Sequence, residues 1–186
     1  MDLFDTPGKG PLEIDGLRPL ADRLRPQSLA EVIGQRQILG PEAPLSVMLA
    51  ARVLSSIIFW GPPGVGKTTI ARLLAQETDL HFIQISAIFS GVPELRKVFQ
   101  TAKIRRDNGQ GTLLFVDEIH RFNKAQQDSF LPLMENGTIV LVGATTENPS
   151  FELNAAVLSR AQVMVLKRLA LEELELLAQR AEAEAG

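Results

Sequence analysis

The segment "GPPGVGKT" (61–68) sets three glycines, a lysine and a hydroxyl in the spacing G-x-x-x-x-G-K-[ST]. Such a loop, between a strand and a helix, turns backbone N–H groups onto a polyphosphate, and the helix start adds a favourable dipole. Gly61, Pro62, Pro63, Gly64, Val65, Gly66, Lys67, Thr68 and Thr69 are read as that loop. Lys67 would reach the β- and γ-phosphates, and the Thr68 hydroxyl would ligate Mg2+. Downstream, "LLFVDE" ends on Asp117 and Glu118. Adjacent carboxylates repel unless a cation lies near. Asp117 is therefore assigned to Mg2+, through water, and Glu118 to polarising an attacking water. A third run, "GATT", ends on Thr145 and Thr146. A hydroxyl there could orient the water against the γ-phosphate, and Thr146 is preferred. The alternative is that β-branched residues simply finish a strand.

Other phosphate-loop chemistries fit less well. "DEIH" is not the D-x-x-G that senses a γ-phosphate in GTPases, and "NKAQ" (123–126) lacks the Asp of N-K-x-D. Small-molecule kinases share the loop but seldom carry a D-E pair followed by a polar-ended strand.

These residues need elements to hold them. Strand-like runs occupy 55–61, 81–86, 111–118, 138–146 and 162–169, and helical patterns occupy 68–77, 92–109, 123–137, the "NAAVLSRA" stretch and the last sixteen residues. Strands alternating with helices, and nearly continuous apolar strands, predict a parallel α/β sheet covered on both faces. Residues 1–18 show no period and read as a flexible tail, followed by a nucleotide-binding core over 19–168 and the start of a helical lid over 169–186. The final helix has nothing evident to pack its far side, which suggests a chain cut from a longer one.

Composition limits the partners. The net charge is −3, with 45% hydrophobic and 22% charged residues, so any contact with nucleic acid must be a local patch or a groove between subunits. The absence of cysteine excludes disulfides and thiolate metal sites. The start "MDLFDTPGKG" is not a signal peptide and no apolar run could span a bilayer, so a cytoplasmic protein is the expectation.

Phosphate loop, D-E strand, threonine-ended strand and "LSRA" occur in that order, after an upstream "RLRPQSLAEVIGQ" (23–35). The order resembles the AAA+ ATPases, within them the clamp-loader and helicase-loader-like group. "HRFNKAQQDSFLP" and "GATTENPSFELNAAVLSRA" resemble more closely the bacterial replication-associated recombination protein A family, over roughly residues 18–180. The resemblance implies a five-stranded sheet in the order 5-1-4-3-2. It also implies that Arg25, Pro26, Ile33 and Gly34 surround an adenine, which argues for ATP. Members resemble clamp-loader subunits, hydrolyse ATP as oligomers (tetramers built by C-terminal domains), and act at stalled or gapped replication forks. Their implied partners are single-stranded DNA and single-strand-binding protein. The rest of the lid, with a second sensor arginine, and the assembly domains lie outside these 186 residues, so turnover by this chain alone is expected to be weak or absent. Two other functions stay open: a nucleotide-gated adaptor that needs no turnover, and a Holliday-junction branch-migration motor.

The remaining charged and aromatic residues have plainer readings beside these. Trp60 reads as core or rim packing rather than a base contact. His120 and Arg121 read first as a solvated loop, and otherwise as a coupling to a neighbour or to DNA. Lys103, Arg105 and Arg106 favour the dipole of their own helix over DNA. Arg160 could do the same, or form a surface ion pair. Yet the site offers no second cation in cis for the charge that spreads during phosphoryl transfer. In the family pattern L-S-R carries the arginine that reaches the next subunit's γ-phosphate. Arg160 is therefore assigned to act in trans.

Overall fold

The computed structural model describes residues 19–186, so the tail read over 1–18 lies outside the described residues. Three short helices come first: α1 (Leu20–Arg23), α2 (Arg36–Leu39) and α3 (Pro44–Ala50). Then follow β1 (Ser56–Trp60), α4 (Lys67–Glu77), β2 (His81–Ser86), α5 (Val92–Asp107), β3 (Thr112–Asp117), α6 (Lys124–Asp128) and α7 (Leu131–Glu135). The chain closes with β4 (Ile139–Thr145), α8 (Pro149–Glu152), α9 (Ala155–Ser159), β5 (Ala161–Val165) and α10 (Leu171–Ala185).

All strand pairs are parallel, in the order β2-β3-β4-β1-β5, the order 5-1-4-3-2 read from the other edge. The three inner strands are buried on both faces, as their unbroken apolar runs require, whereas the edge strands β2 and β5 are partly exposed. Successive side chains point to opposite faces. Ile57, Phe59, Leu113 and Phe115 thus meet Ile70 and Leu74 of α4 on one side. Ile58, Leu114 and Val116 meet Leu95 of α5 and Phe130 and Leu133 around α7 on the other. Each such fully buried side chain contributes about 1.5–3 kcal/mol.

Two elements differ from the sequence reading. The single helix expected over 123–137 is two, because Pro132 lies in the first turn of α7 and cannot donate back to the preceding helix. The fifth strand stops at Val165 instead of 169. There the Lys167 amide donates to Gln35 Oε1 at 3.0 Å and its carbonyl accepts from Gln35 Nε2 at 2.7 Å, so a side chain replaces the neighbouring strand. The last helix is not bare: Arg23 pairs with Glu184 at 3.3 Å, and Arg180 donates to the Glu31 carbonyl at 2.6 Å.

A buried amide fixes the segment that leads to Arg160. Gln127, 2% exposed, donates to the carbonyls of Phe122 at 3.0 Å and Glu152 at 3.2 Å. Its oxygen accepts from the Asn154 amide at 2.7 Å, so α6 carries the start of α9. Gln127→Leu would leave three backbone groups without partners, each costing about 1–3 kcal/mol. The urea midpoint of this variant should fall well below that of the native chain, with an unchanged slope; an equal midpoint would remove Gln127 from this role.

Candidate active site

Because β1, β3 and β4 run parallel as neighbours, their C-terminal ends open on one rim of the sheet. The loop after β1 is the glycine-rich segment, Asp117 and Glu118 end β3, and Thr145 and Thr146 end β4. The sequence-predicted groups from three separate stretches thus converge. The Gly61 amide donates to the Thr145 carbonyl at 3.1 Å, joining loop and strand directly.

Gly64 and Gly66 adopt positive φ, and Gly66 caps α4 without any side-chain cap, leaving the first N–H groups of an eleven-residue helix open to an anion. Gly61 serves a different need. A Cβ there would lie 2.5 Å from the Leu166 carbonyl oxygen, so glycine permits the close approach of the two chains. Lys67 is buried, and its ammonium donates to the carbonyls of Gly61 and Pro62. Burial lowers its pKa from the usual lysine range, opposed by the negative charges of Glu118 and Asp117. The lysine therefore sits in the field of both carboxylates.

Asp117 and Thr68 are half-buried, and neither side chain takes part in a hydrogen bond among the described residues. No group of three or more His, Cys, Asp or Glu gathers there or elsewhere among the described residues. One hydroxyl and one carboxylate suit a hard cation that brings its other oxygens as phosphate and water, as Mg2+ does. The two residues fit that ion, and they do not form a closed metal cage.

Glu118 holds a left-handed backbone, φ 54 and ψ 44, which few non-glycine residues adopt and which costs about 1–3 kcal/mol. Its Oε2 lies 3.3 Å from His120 Nε2, and His120 Nδ1 lies 2.8 Å from Thr145 Oγ1. The His120 side chain is only 7% exposed, which corrects the solvated-loop reading; Arg121 is exposed, as that reading has it. The two threonines differ in the same way. Thr145 is fully buried and bonded, whereas Thr146 is half-buried with no hydrogen-bond partner for its hydroxyl among the described residues.

Beside the loop, a hollow of about 380 Å3 is bounded by Arg25, Pro26 and Ile33 on one wall and by Gly64, Leu169 and Leu177 on others. Arg25, Pro26 and Ile33 thus share a hollow with Gly64, Val65 and Gly66, whereas Gly34 does not line it. Gly34, at φ 78, allows the segment leading into α10 to approach: a Cβ there would meet Leu169 Cδ2 at 2.7 Å. Three contributors escaped the sequence reading. Gln35 reaches Val65 of the loop as well as Lys167, and Leu177 and Arg180 reach the hollow from α10. Only a polar residue in an otherwise apolar "VIGQ" signalled the first.

Arg160 stands apart from all of this. β5 pairs Ala161 with Ser56 and Val165 with Trp60, so Arg160 lies at the start of β5 and the phosphate loop beyond its far end. Five residues of strand separate them, roughly 16 Å. The guanidinium is exposed at the opposite rim, 2.6 Å from Glu135 and 2.9 Å from the Ala156 carbonyl. Arg105 and Arg106 also serve that rim: they bond the Thr112 and Thr138 hydroxyls at 2.8 and 3.1 Å, and so tie α5 to β3 and to the segment before β4. Trp60 is half-buried on β1, a rim position.

Residues 57–169 match the model of the ATPase family associated with various cellular activities (AAA). The chain is 53% identical over 158 residues to replication-associated recombination protein A of Escherichia coli K12, covering 85% of this chain and 35% of that protein. It is 44% identical to ATPase WRNIP1 of Dictyostelium discoideum, over 87% of this chain and 18% of that one. Among solved structures, the Thermotoga maritima RuvB Holliday junction branch migration motor superposes with a TM-score of 0.73 at 32% identity, over 86% of this chain and 54% of that one. The chain spans about a third of the length of the bacterial recombination protein it matches. No helix among the described residues is long and apolar enough to cross a membrane.

None of the residues of α10 is buried, so its hold on the core rests on few contacts: Arg23 with Glu184, Arg180 with Glu31, and the leucines at the hollow. In the double variant Arg23→Ala/Arg180→Ala, amide hydrogens of 171–185 should exchange faster while those of β1, β3 and β4 keep their protection. Unchanged exchange in α10 would show that the two arginines do not hold it.

Proposed function

Because the chain belongs to the ATPase family associated with various cellular activities, we propose that it binds Mg-ATP and completes hydrolysis only with a neighbouring copy. The observation that carries this reading is the geometry of two rims. The phosphate loop, Asp117, Glu118 and Thr146 share one rim, while Arg160 faces out from the other. Lys67 and the open start of α4 bind the phosphates, and the hollow between "RLRPQSLAEVIGQ" and the lid takes the adenine. Thr68 and Asp117 hold Mg2+, which when bound neutralises charge on the phosphate oxygens. Glu118 accepts a proton from the attacking water and Thr146 orients that water. The water oxygen bonds to the γ-phosphorus as the bond from that phosphorus to the ADP oxygen breaks, giving ADP and phosphate. Arg160 of a neighbour supplies a second positive charge beside that of Lys67. Its present pairing with Glu135 is an exposed one, worth under about 1 kcal/mol, so little opposes its transfer to a phosphate.

The setting we propose is a cytoplasmic oligomer, a tetramer in the whole protein, that acts on single-stranded or forked DNA at stalled or gapped replication forks and meets single-strand-binding protein. Identity of 53% to replication-associated recombination protein A supports it. The RuvB likeness favours a second reading, branch migration of four-way junctions, at a lower 32% identity. Turnover stimulated by four-way junctions and not by gapped or single-stranded DNA would favour the second. A nucleotide-gated adaptor is separated by Glu118→Gln in the full-length protein: biological activity kept without turnover would support the adaptor and overturn the motor.

Sharing between subunits has its own test. In the full-length protein, Glu118→Gln and Arg160→Ala should each lower kcat by about 10³-fold or more while retaining Mg-ATP binding. Mixed together, they should regain ATPase, since some interfaces then pair an intact arginine with an intact Glu118. No recovery despite demonstrated co-assembly would exclude an arginine supplied in trans.

A further inference from the structure

The proposed base, Glu118, is one end of a side-chain chain that leads back into the sheet. Its Oε2 lies 3.3 Å from His120 Nε2, His120 Nδ1 lies 2.8 Å from Thr145 Oγ1, and Thr145 Oγ1 accepts from the Glu147 amide at 3.0 Å. The middle of the chain is shielded: Thr145 is fully buried and the His120 side chain is 7% exposed. Thr145 Oγ1 also reaches the Glu147 carbonyl at 3.2 Å, so the hydroxyl hydrogen has an acceptor whichever tautomer the imidazole takes.

The carboxylate decides that tautomer. A bare Nε2 lone pair facing an ionised oxygen would be repulsive, whereas an Nε2–H donates to it. In the neutral ring Nδ1 then accepts from the Thr145 hydroxyl, and Nε2 carries the hydrogen and points it at Glu118.

Resting on the reading of Glu118 as the base, we propose that His120 is a positioning residue: it holds the Glu118 carboxylate in one orientation and ties it, through Thr145, to the end of β4. Thr146 lies between Thr145 and Glu147, the two residues this network clamps. A displacement of Thr146 toward a γ-phosphate therefore moves the anchor of His120, and with it Glu118. The left-handed backbone of Glu118 suits this role, since it turns the chain so that a side chain two residues on can return to it. The device couples detection of the terminal phosphate to placement of the base, and it uses neither of the charges that hold the nucleotide.

Two measurements test it, one independent of turnover. Two-bond 1H–15N spectra of the chain without nucleotide, assigned against His120→Gln because His81 is the other of two histidines, should show His120 with Nε2 protonated. In Glu118→Ala that fixed state should give way to tautomer averaging. A His120 protonated only on Nδ1, or already averaged in the native chain, overturns the proposal whatever the ATPase does. Kinetically, in the full-length protein, His120→Ala and Thr145→Val should lower kcat about tenfold or more, a part of the 10²–10⁴ that a positioned base contributes. Mg-ATP affinity should stay within about twofold. His120→Gln, which can place an amide N–H toward Glu118, should recover part of the loss. Native kcat in His120→Ala, alongside an inactive Glu118→Gln, overturns the positioning role and leaves the ATPase reading intact. Full turnover by Glu118→Gln overturns the ATPase reading of Glu118 and, with it, the positioning role built on it.

Discussion

Parallel pairing of β1 with β4 on one side and β5 on the other governs where every functional group can stand. Parallel neighbours share a direction, so the ends of β1, β3 and β4 must open on the same rim, and residues distant in sequence meet there without further instruction. The same register pushes whatever precedes β5 to the opposite rim. Arg160 is thus separated from its own phosphate loop by the length of a strand, a separation that no side-chain rearrangement can close. That separation is the basis of the proposal that one chain binds the nucleotide and a neighbour completes its hydrolysis.

Charge gives the separation its consequence. Lys67 lies in the field of the two carboxylates at one rim, and burial lowers its pKa from the usual lysine range. Charge that spreads over a phosphoryl group in transfer needs a further cation. The exposed arginine at the other rim lies too far away to reach that site within its own chain, which is why we propose that it serves a neighbouring copy. Gln127 and Asn154 make that arginine's platform rigid by tying α9 to α6, which follows directly from the D-E strand. The segment that bears Arg160 and the end of β3 are thus linked by these polar contacts as well as by the sheet.

Much of this was legible in the residues. Buried parallel strands need apolar side chains on both faces, so their runs are unmistakable, and the places where they turn polar or to glycine mark the rim. The phosphate loop carries its own conformation in its glycines. What escaped was tertiary. Gln35 ends β5 from a position some 130 residues earlier, a contact with |i−j| of 132 that no local pattern can report. The break between α6 and α7 was visible as Pro132, although the apolar spacing across it reads as one helix. His120 follows two carboxylates and precedes an arginine, a context that reads as solvent; only the fold brings the buried Thr145 hydroxyl against its ring. The contacts of α10 with α1 and with Glu31 are likewise made by arginines whose partners lie far along the chain.

The central claim is that one chain binds the nucleotide and two chains hydrolyse it. The most direct measurement is ATPase activity per chain across a concentration series, with association followed in the same samples. Activity per chain should rise in step with association and stay near zero for Arg160→Ala at every concentration, although that variant still binds Mg-ATP. Robust turnover that is constant per chain down to concentrations where the protein is monomeric would contradict the account.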